Sequence, residues 1–360
     1  MSNNGRIRTI EVSGKPREMG RQIGEATRAM WPGLLNHVMT RLNQYRDHAL
    51  TLDEAADQAR QFFPYVRSYA PAAYAELEGV AQGANRSREV VMLVNARNEI
   101  GASSNLSDGC TTIASTGTAS ATSNGLIGQN WDNDPEIMPW KLVLTRRPDT
   151  GPSSMTFCLP GIAGYIGINS AGIGICLNGL AGKAASEGLP WYFTVANVLR
   201  AHGKTAVLET VERAPRTRPG NIAVITERGV LDIEAQISVI RVVQPNERGH
   251  LVHTNHCLHP DLEDTNKRYF DDLYGQTYER KARAETLFNQ ETNLLSVEVF
   301  KQVLADHEGA PTSICRHPNS HPTTGWQRTA ASVVLEPSQG RMHLSTGNPC
   351  ETPFKIYDMS

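Results

Sequence analysis

Long apolar runs, blocks of like charge and closely spaced cysteines are all missing from this sequence, and each absence removes a class of protein. No apolar stretch approaches the roughly 20 residues that span a bilayer, and the opening MSNNGRIRTI has no hydrophobic signal core, so no membrane partner is expected. Charge is balanced, with 35 Lys and Arg against 37 Asp and Glu for a formal net charge of -2, and neither sign forms a long run. Nucleic-acid and membrane-surface binders need a concentrated positive footprint, so no nucleic acid is expected either. Six cysteines scattered over 360 residues lack the spacing of a secreted disulfide scaffold; they are read as reduced thiols in a cytoplasmic enzyme. Gly172-Ile173-Gly174 has no glycine three residues further on and no strand entering a helix around it, so no nucleotide cofactor is expected.

What is present changes character part-way along. The first hundred residues read as helical: Met19, Ile23, Ala26, Met30, Leu34, Leu35, Val38 and Leu42 recur at helical spacing, with Pro32 expected to kink or divide the run. Thr51 with Glu54 forms a capping-box pattern, and Ser87 caps REVVMLVNARNEI. From Cys110 onward, short apolar or alternating runs such as CTTIAST, GLIGQNWD, KLVLTRR and NIAVITERGVLDIEA are separated by Gly, Pro and Asn, which is how strands and turns read. Helical segments return at about 192–212 and 266–307, the latter holding KRYFDDLYGQTYERKARAETLF, read as a solvated face. Helices, strands, helices and strands in that order suit a layered α+β fold with helices covering packed antiparallel sheets. Residues 1–109 are read as a helical N-terminal segment and 110–360 as a β-rich core, together one domain.

The segment Ser107-Asp108-Gly109-Cys110-Thr111-Thr112 sits at the boundary between those halves. Gly109 has no side chain to shield its carbonyl and tolerates strained backbone angles, which suits attack by a neighbouring thiol on its own peptide bond. An N-to-S acyl shift followed by hydrolysis would leave Cys110 with a free α-amine of pKa about 8, low enough to take the thiol proton near neutral pH. Gly-Cys alone is a weak signal, because a cysteine opening a strand is more commonly a small buried hydrophobe.

DGCTTIAS, then GQNWD, VHTNHCL and SICR in the same order, resemble the isopenicillin-N acyltransferase family of cysteine N-terminal nucleophile (Ntn) hydrolases, collinearly over most of the chain. The resemblance implies an αββα sandwich, autoproteolysis at the Gly109–Cys110 bond and a heterodimer of the two resulting fragments. It also implies that Cys110 is the nucleophile and that Asp132 fixes the new α-amine, although Asp132-Asn133-Asp134-Pro135 alone also reads as a turn. It makes Asn255 a donor to the oxyanion of the tetrahedral intermediate. Arg316 becomes a positive charge nearby, where an isolated arginine is ordinarily a surface residue. The implied substrate is a small-molecule N-acyl amide, with an acyl-CoA or an amine acceptor as further partners. The family's penicillin enzyme has aromatic residues after the NWD sequence, whereas Asn133 and Asp134 imply a more polar pocket here.

Two other readings remain open on the sequence. One is a non-catalytic small-molecule binder on the same fold, against which the joint presence of Cys110, Asp132, Asn255 and Arg316 argues. The other is a zinc hydrolase using His253, His256, Cys257 and His259, since imidazole and thiolate are natural zinc ligands. These four crowd one short stretch without a second cluster or an HExxH motif, so no metal and no other cofactor are expected in the chain.

Overall fold

The apolar runs that follow Cys110 pair into two sheets, and the computed structural model packs them face to face with helices on both outer surfaces. The structure describes residues 7–44, 46–101, 109–122, 124–269, 275–320 and 325–359. Ser107 and Asp108 of the boundary motif lie outside them. In chain order the strands are β1 (Arg8–Gly14), β2 (Cys110–Ser115), β3 (Leu126–Asn133), β4 (Leu142–Pro148), β5 (Ser154–Cys158), β6 (Gly167–Asn169) and β7 (Gly174–Gly179). There follow β8 (Gly220–Thr226), β9 (Gly229–Ala235), β10 (Ile240–Val243), β11 (His250–His253), β12 (Arg328–Glu336), β13 (Arg341–Ser345) and β14 (Lys355–Asp358). One sheet has the order β1-β4-β5-β6-β7-β8-β9-β10 and the other β11-β2-β3-β12-β13-β14. Among these strands of the described residues, the β1–β4 pair is parallel and the other pairs are antiparallel.

Side-chain alternation decides how the layers stack. Along β2, Cys110 and Ala114 join the core between the sheets, whereas Ile113 packs outward with Ala284, Phe288, Phe300 and Leu304 of the covering helices. Every residue of β2 and β3 is buried, as expected of strands covered on both faces. The helices Gly275–Gln290 and Val297–Ala305 cover this sheet, and Pro16–Thr27 and Gly203–Arg213 cover the other. The result is the αββα form of the expected α+β class. Among the described residues, no helix is long and apolar enough to cross a membrane.

Three local expectations have distinct outcomes. The capping box at Thr51 and the Ser87 cap both form, with Ser87 Oγ accepting from Val90 N at 3.2 Å. Division near Pro32 takes the form of a 3-10 turn over Arg28–Met30, with Pro32 in the first turn of the helix that follows. The helical reading of the first hundred residues needs correction, because it begins with a strand. In β1 only Ile10 and Val12 are buried, at a spacing of two, and Glu11 between them breaks any apolar run.

Candidate active site

Antiparallel register brings the boundary motif and the GQNWD motif together. Cys110 opens β2 directly opposite Trp131 of β3, and the next rung joins Asp132 N to Gly109 O at 2.8 Å. At the other end of the same peptide group, Cys110 N donates to Asn255 Oδ1 at 3.0 Å. Both polar atoms of the Gly109–Cys110 bond are thus held, its carbonyl by a backbone amide and its nitrogen by a side-chain oxygen.

The period of two along β3 assigns the remaining motif residues. Trp131 faces the inter-sheet core and meets Phe157 and Tyr165 edge-on at 5.6 and 5.8 Å between ring centres. Asp132 faces the opposite way and is completely buried; its Oδ1 accepts from Thr329 Oγ1 at 2.7 Å, while Oδ2 has no hydrogen-bond partner among the described residues. Burial pushes the Asp132 carboxyl above its ordinary range, against the opposing pull of Arg316 and Arg280. Arg316 is 1% exposed, gives Nη1 to Gln327 and keeps Nε and Nη2 without partners among the described residues. Its pKa is pushed down by burial to about 10, Asp132 opposing and Arg280 reinforcing the shift.

Gly109 lies between these two side chains. A Cβ on it would stand 2.8 Å from Arg316 Nη1 and 2.9 Å from Asp132 Oδ2. Those separations are too short for a carbon, so any larger residue here would have to push the carboxylate or the guanidinium aside.

Asn255 is oriented differently from the oxyanion-donor expectation. Its Oδ1 takes the Cys110 N–H and a second donor, Arg280 Nη2 at 2.8 Å, while its Nδ2 donates to Gly179 O at 3.1 Å. Two donors face one side of the amide and a carbonyl faces the other, so this orientation satisfies all three contacts. The amide therefore presents an acceptor, rather than a donor, to Cys110.

Arg280 was missed in the sequence, and its segment's reading as a solvated face is corrected here for one stripe. The residue is 2% exposed and donates to Cys110 O, to Thr111 Oγ1 at 2.9 Å and to Asn255 Oδ1. Burial pushes its pKa down, with Asp132 opposing. A signal was available: Thr277, Arg280, Ala284 and Phe288 follow one another at steps of three and four, the spacing of one helix face, and all four are buried. Thr277 Oγ1 adds to the same site by accepting from Asn255 N at 2.7 Å.

The zinc reading of the HTNHCLH segment does not survive. His253 Nε2 pairs with Glu234 at 3.0 Å, and His256 stacks on Tyr278 at 4.0 Å between ring centres. Cys257 Sγ accepts from Gln236, and His259 Nδ1 accepts from Asp261 N. The four side chains diverge, and among the described residues they form no metal-holding group. Their bonds instead fix the loop that carries Asn255. The other core thiols are unsuited to attack: burial pushes Cys158 up to about 11, Cys257 up to about 12 and Cys176 well above its ordinary value.

Residues 120–351 match the family model described as acyl-coenzyme A:6-aminopenicillanic acid acyl-transferase, well over half of the 360-residue chain. The chain belongs to this acyltransferase family. A relative, the 40 kDa form of acyl-coenzyme A:6-aminopenicillanic-acid-acyltransferase from Emericella nidulans, is 28% identical over 254 residues, covering 68% of this chain and 67% of the relative. Among solved structures, a mutant of conjugated bile acid hydrolase from Clostridium perfringens aligns at 14% identity and a TM-score of 0.45, over 69% of this chain and 92% of that one. Penicillin V acylase from Agrobacterium tumefaciens aligns at 11% identity and a TM-score of 0.40, over 70% and 79% of the two chains. Within this acyltransferase-family chain, the matched span takes in Asp132, Asn255, Arg280 and Arg316 and begins after Cys110.

Proposed function

We propose that this chain cuts its own Gly109–Cys110 bond and then uses Cys110 as an N-terminal nucleophile to cleave a small-molecule N-acyl amide or transfer its acyl group. The observation that carries this reading is the double hold on that peptide group, Asp132 N on the carbonyl at 2.8 Å and Asn255 Oδ1 on the nitrogen at 3.0 Å. In the self-cleavage step the Cys110 thiol adds to the Gly109 carbonyl carbon, and the Asp132 N–H is positioned to hold the developing oxyanion. Collapse breaks the C–N bond, the nitrogen gains the thiol proton, and a Gly109 thioester remains. Water then releases the Gly109 carboxylate and returns the thiol, leaving fragments 1–109 and 110–360 paired as a heterodimer.

In the mature site the α-amine takes over as base. Asp132 Oδ2 and two nitrogens of Arg316, buried and without hydrogen-bond partners among the described residues, are then available for the amine and for an acylated substrate. A binder that keeps the fold without the chemistry has no use for such a set. Membership in an acyltransferase family supports acyl transfer, with acyl-coenzyme A or an amine as partner. A small cleft lined by His37, Arg41, Arg97, Asn133 and Arg218 begins one residue beyond Asp132 and suits a polar, anionic group on the substrate. A cytoplasmic setting fits free thiols at all six cysteines.

Intact-mass analysis of fresh protein tests the reading, with two fragments expected, one ending at Gly109 and one beginning at Cys110. Cys110→Ala should stay whole and inactive. Full-length protein that nonetheless turns over N-acyl amides would overturn self-activation, and normal processing of Cys110→Ala would assign the cut to an outside protease.

A further inference from the structure

Two sulfurs and an imidazole nitrogen meet just beneath the protein surface, outside the proposed chemistry. Cys315 Sγ lies 3.5 Å from Cys350 Sγ, Cys350 Sγ lies 3.2 Å from His317 Nε2, and Cys315 Sγ lies 3.8 Å from that same nitrogen. The thiols are not bonded to each other, since both cysteines are free. A tetrahedral zinc ion, with Zn–S of about 2.3 Å and Zn–N of about 2.1 Å, sets two sulfurs about 3.8 Å apart and sulfur and nitrogen about 3.6 Å apart. The triangle seen here matches that ligand face within about 0.4 Å on every edge.

The surroundings have the form that supports ligands. Asn348 Nδ2 donates to Cys315 Sγ at 3.4 Å, as a donor to a thiolate would. His317 Nδ1, the ring nitrogen not facing the thiols, faces Glu351 Oε1 at 3.8 Å, and a ligating histidine commonly gives its second nitrogen to a carboxylate. Cys350 is exposed and His317 partly so, which leaves an entry path and an open fourth position for water. The ligands come from segments 33 residues apart, so no spacing motif announces them.

We infer that Cys315, His317 and Cys350 form a binding site for a thiophilic divalent cation of the zinc class. Binding exchanges two thiol protons for one ion, with no change of oxidation state. The ion ties the segment around Arg316 to the turn at 348–351, a link already begun by Asn348 Nδ2, which donates to Arg316 O at 2.6 Å. It acts as a clamp that positions the Arg316 backbone, and it does not depend on whether the chain cuts itself.

Full-length protein, reduced, stripped with chelator and kept anaerobic, is titrated with cobalt(II) and followed by absorption. The expected result is a sulfur-to-cobalt charge-transfer band with intense visible bands, saturating at one ion per chain and bleached by zinc. Cobalt can also bind the Cys110 thiol and amine, so Cys350→Ser assigns the band: at this exposed position the fold is kept and the charge-transfer intensity falls by about half or more. Glu351→Ala should weaken cobalt binding at least about tenfold. A wild-type protein without the band, a band unchanged in Cys350→Ser, or a Cys315–Cys350 disulfide that persists in reductant would overturn the site.

Discussion

Asn255 stands in register opposite Cys110. β11 pairs with β2 through His253 and Thr112, and the same antiparallel register, continued two residues past the strand's end, brings Asn255 beside the first residue of β2. The 3.0 Å bond from Cys110 N to Asn255 Oδ1 is therefore a continuation of the sheet by a side chain. Strand pairing places the Gly109–Cys110 bond, and the same pairing places the atoms that hold it.

Gly109→Ala tests that placement. The new methyl would meet Asp132 Oδ2 at 2.9 Å and Asp132 Cβ at 3.2 Å, and Asp132 cannot retreat because β3 is central in its sheet. Overpacking of this kind costs about 1–3 kcal/mol. The expected outcome is self-cleavage slowed about tenfold or more, followed by intact mass against time from fresh precursor. Cleavage at the wild-type rate would mean that the clamp around Gly109 is irrelevant to the cut.

Asn255 has two chemically separable faces. Asn255→Ala removes both; where the amide serves the oxyanion, mature protein should bind substrate nearly as well yet turn over about a hundredfold more slowly, the usual loss for one such donor. Asn255→Asp keeps the acceptor for Cys110 N and Arg280 but loses the donor. If the observed orientation persists through turnover, Asn255→Asp recovers most of the activity; if the amide turns to serve an oxyanion, it is as slow as alanine. Turnover of the mature variants, separated from precursor, distinguishes the two, and a near wild-type rate for Asn255→Ala would remove the residue from the mechanism.

The layered fold was legible because buried strands advertise themselves. CTTIAST and GLIGQNWD are short, apolar and bounded by turn residues, and they became β2 and β3. β1 stayed hidden because one face is exposed and charged, leaving only Ile10 and Val12 as apolar signal. At the site, Cys110, Asp132, Asn255 and Arg316 were named from motifs, and the structure gathers them around Gly109. Arg280 was invisible to that reasoning. A buried arginine among lysines, glutamates and exposed arginines looks like its neighbours until the stripe of Thr277, Ala284 and Phe288 is counted. The direction of the Asn255 amide was beyond the sequence altogether, since it depends on donors and an acceptor supplied by Cys110, Arg280 and Gly179.

Arg280 therefore warrants its own test. Its fork bridges Cys110 O, Thr111 Oγ1 and Asn255 Oδ1, a geometry that lysine cannot reproduce. Arg280→Met also leaves buried Asp132 with one positive neighbour fewer, Arg316 alone then opposing its burial. Arg280→Met should lower the urea midpoint and slow self-cleavage, with Arg280→Lys restoring stability more than rate. Equal rescue of both by lysine would show that only the charge matters.

His253 provides a test by pH. Burial pushes its pKa down, but Asp232 at 4.0 Å and Glu234 at 3.0 Å outweigh that effect and hold it above the ordinary 6.5. A base that binds its proton more tightly when folded contributes fully below the unfolded pKa, and that contribution fades as pH rises through the folded pKa. The two acids are mostly ionised by then: Asp232 is pushed up by burial to about 6, and Glu234 is lowered by the histidine and by backbone donors despite its burial. Above about pH 6.5, His253 is therefore the group of the three that titrates most. His253→Gln keeps an amide beside Glu234 but carries no charge. Urea unfolding of both proteins in an uncleaved Cys110→Ala background should show the histidine protein more stable at about pH 6.5, with the margin shrinking toward about pH 9. A margin that does not change with pH would mean that folding leaves the His253 pKa at its ordinary value, and a margin that grows toward pH 9 would mean that the histidine is neutral when folded.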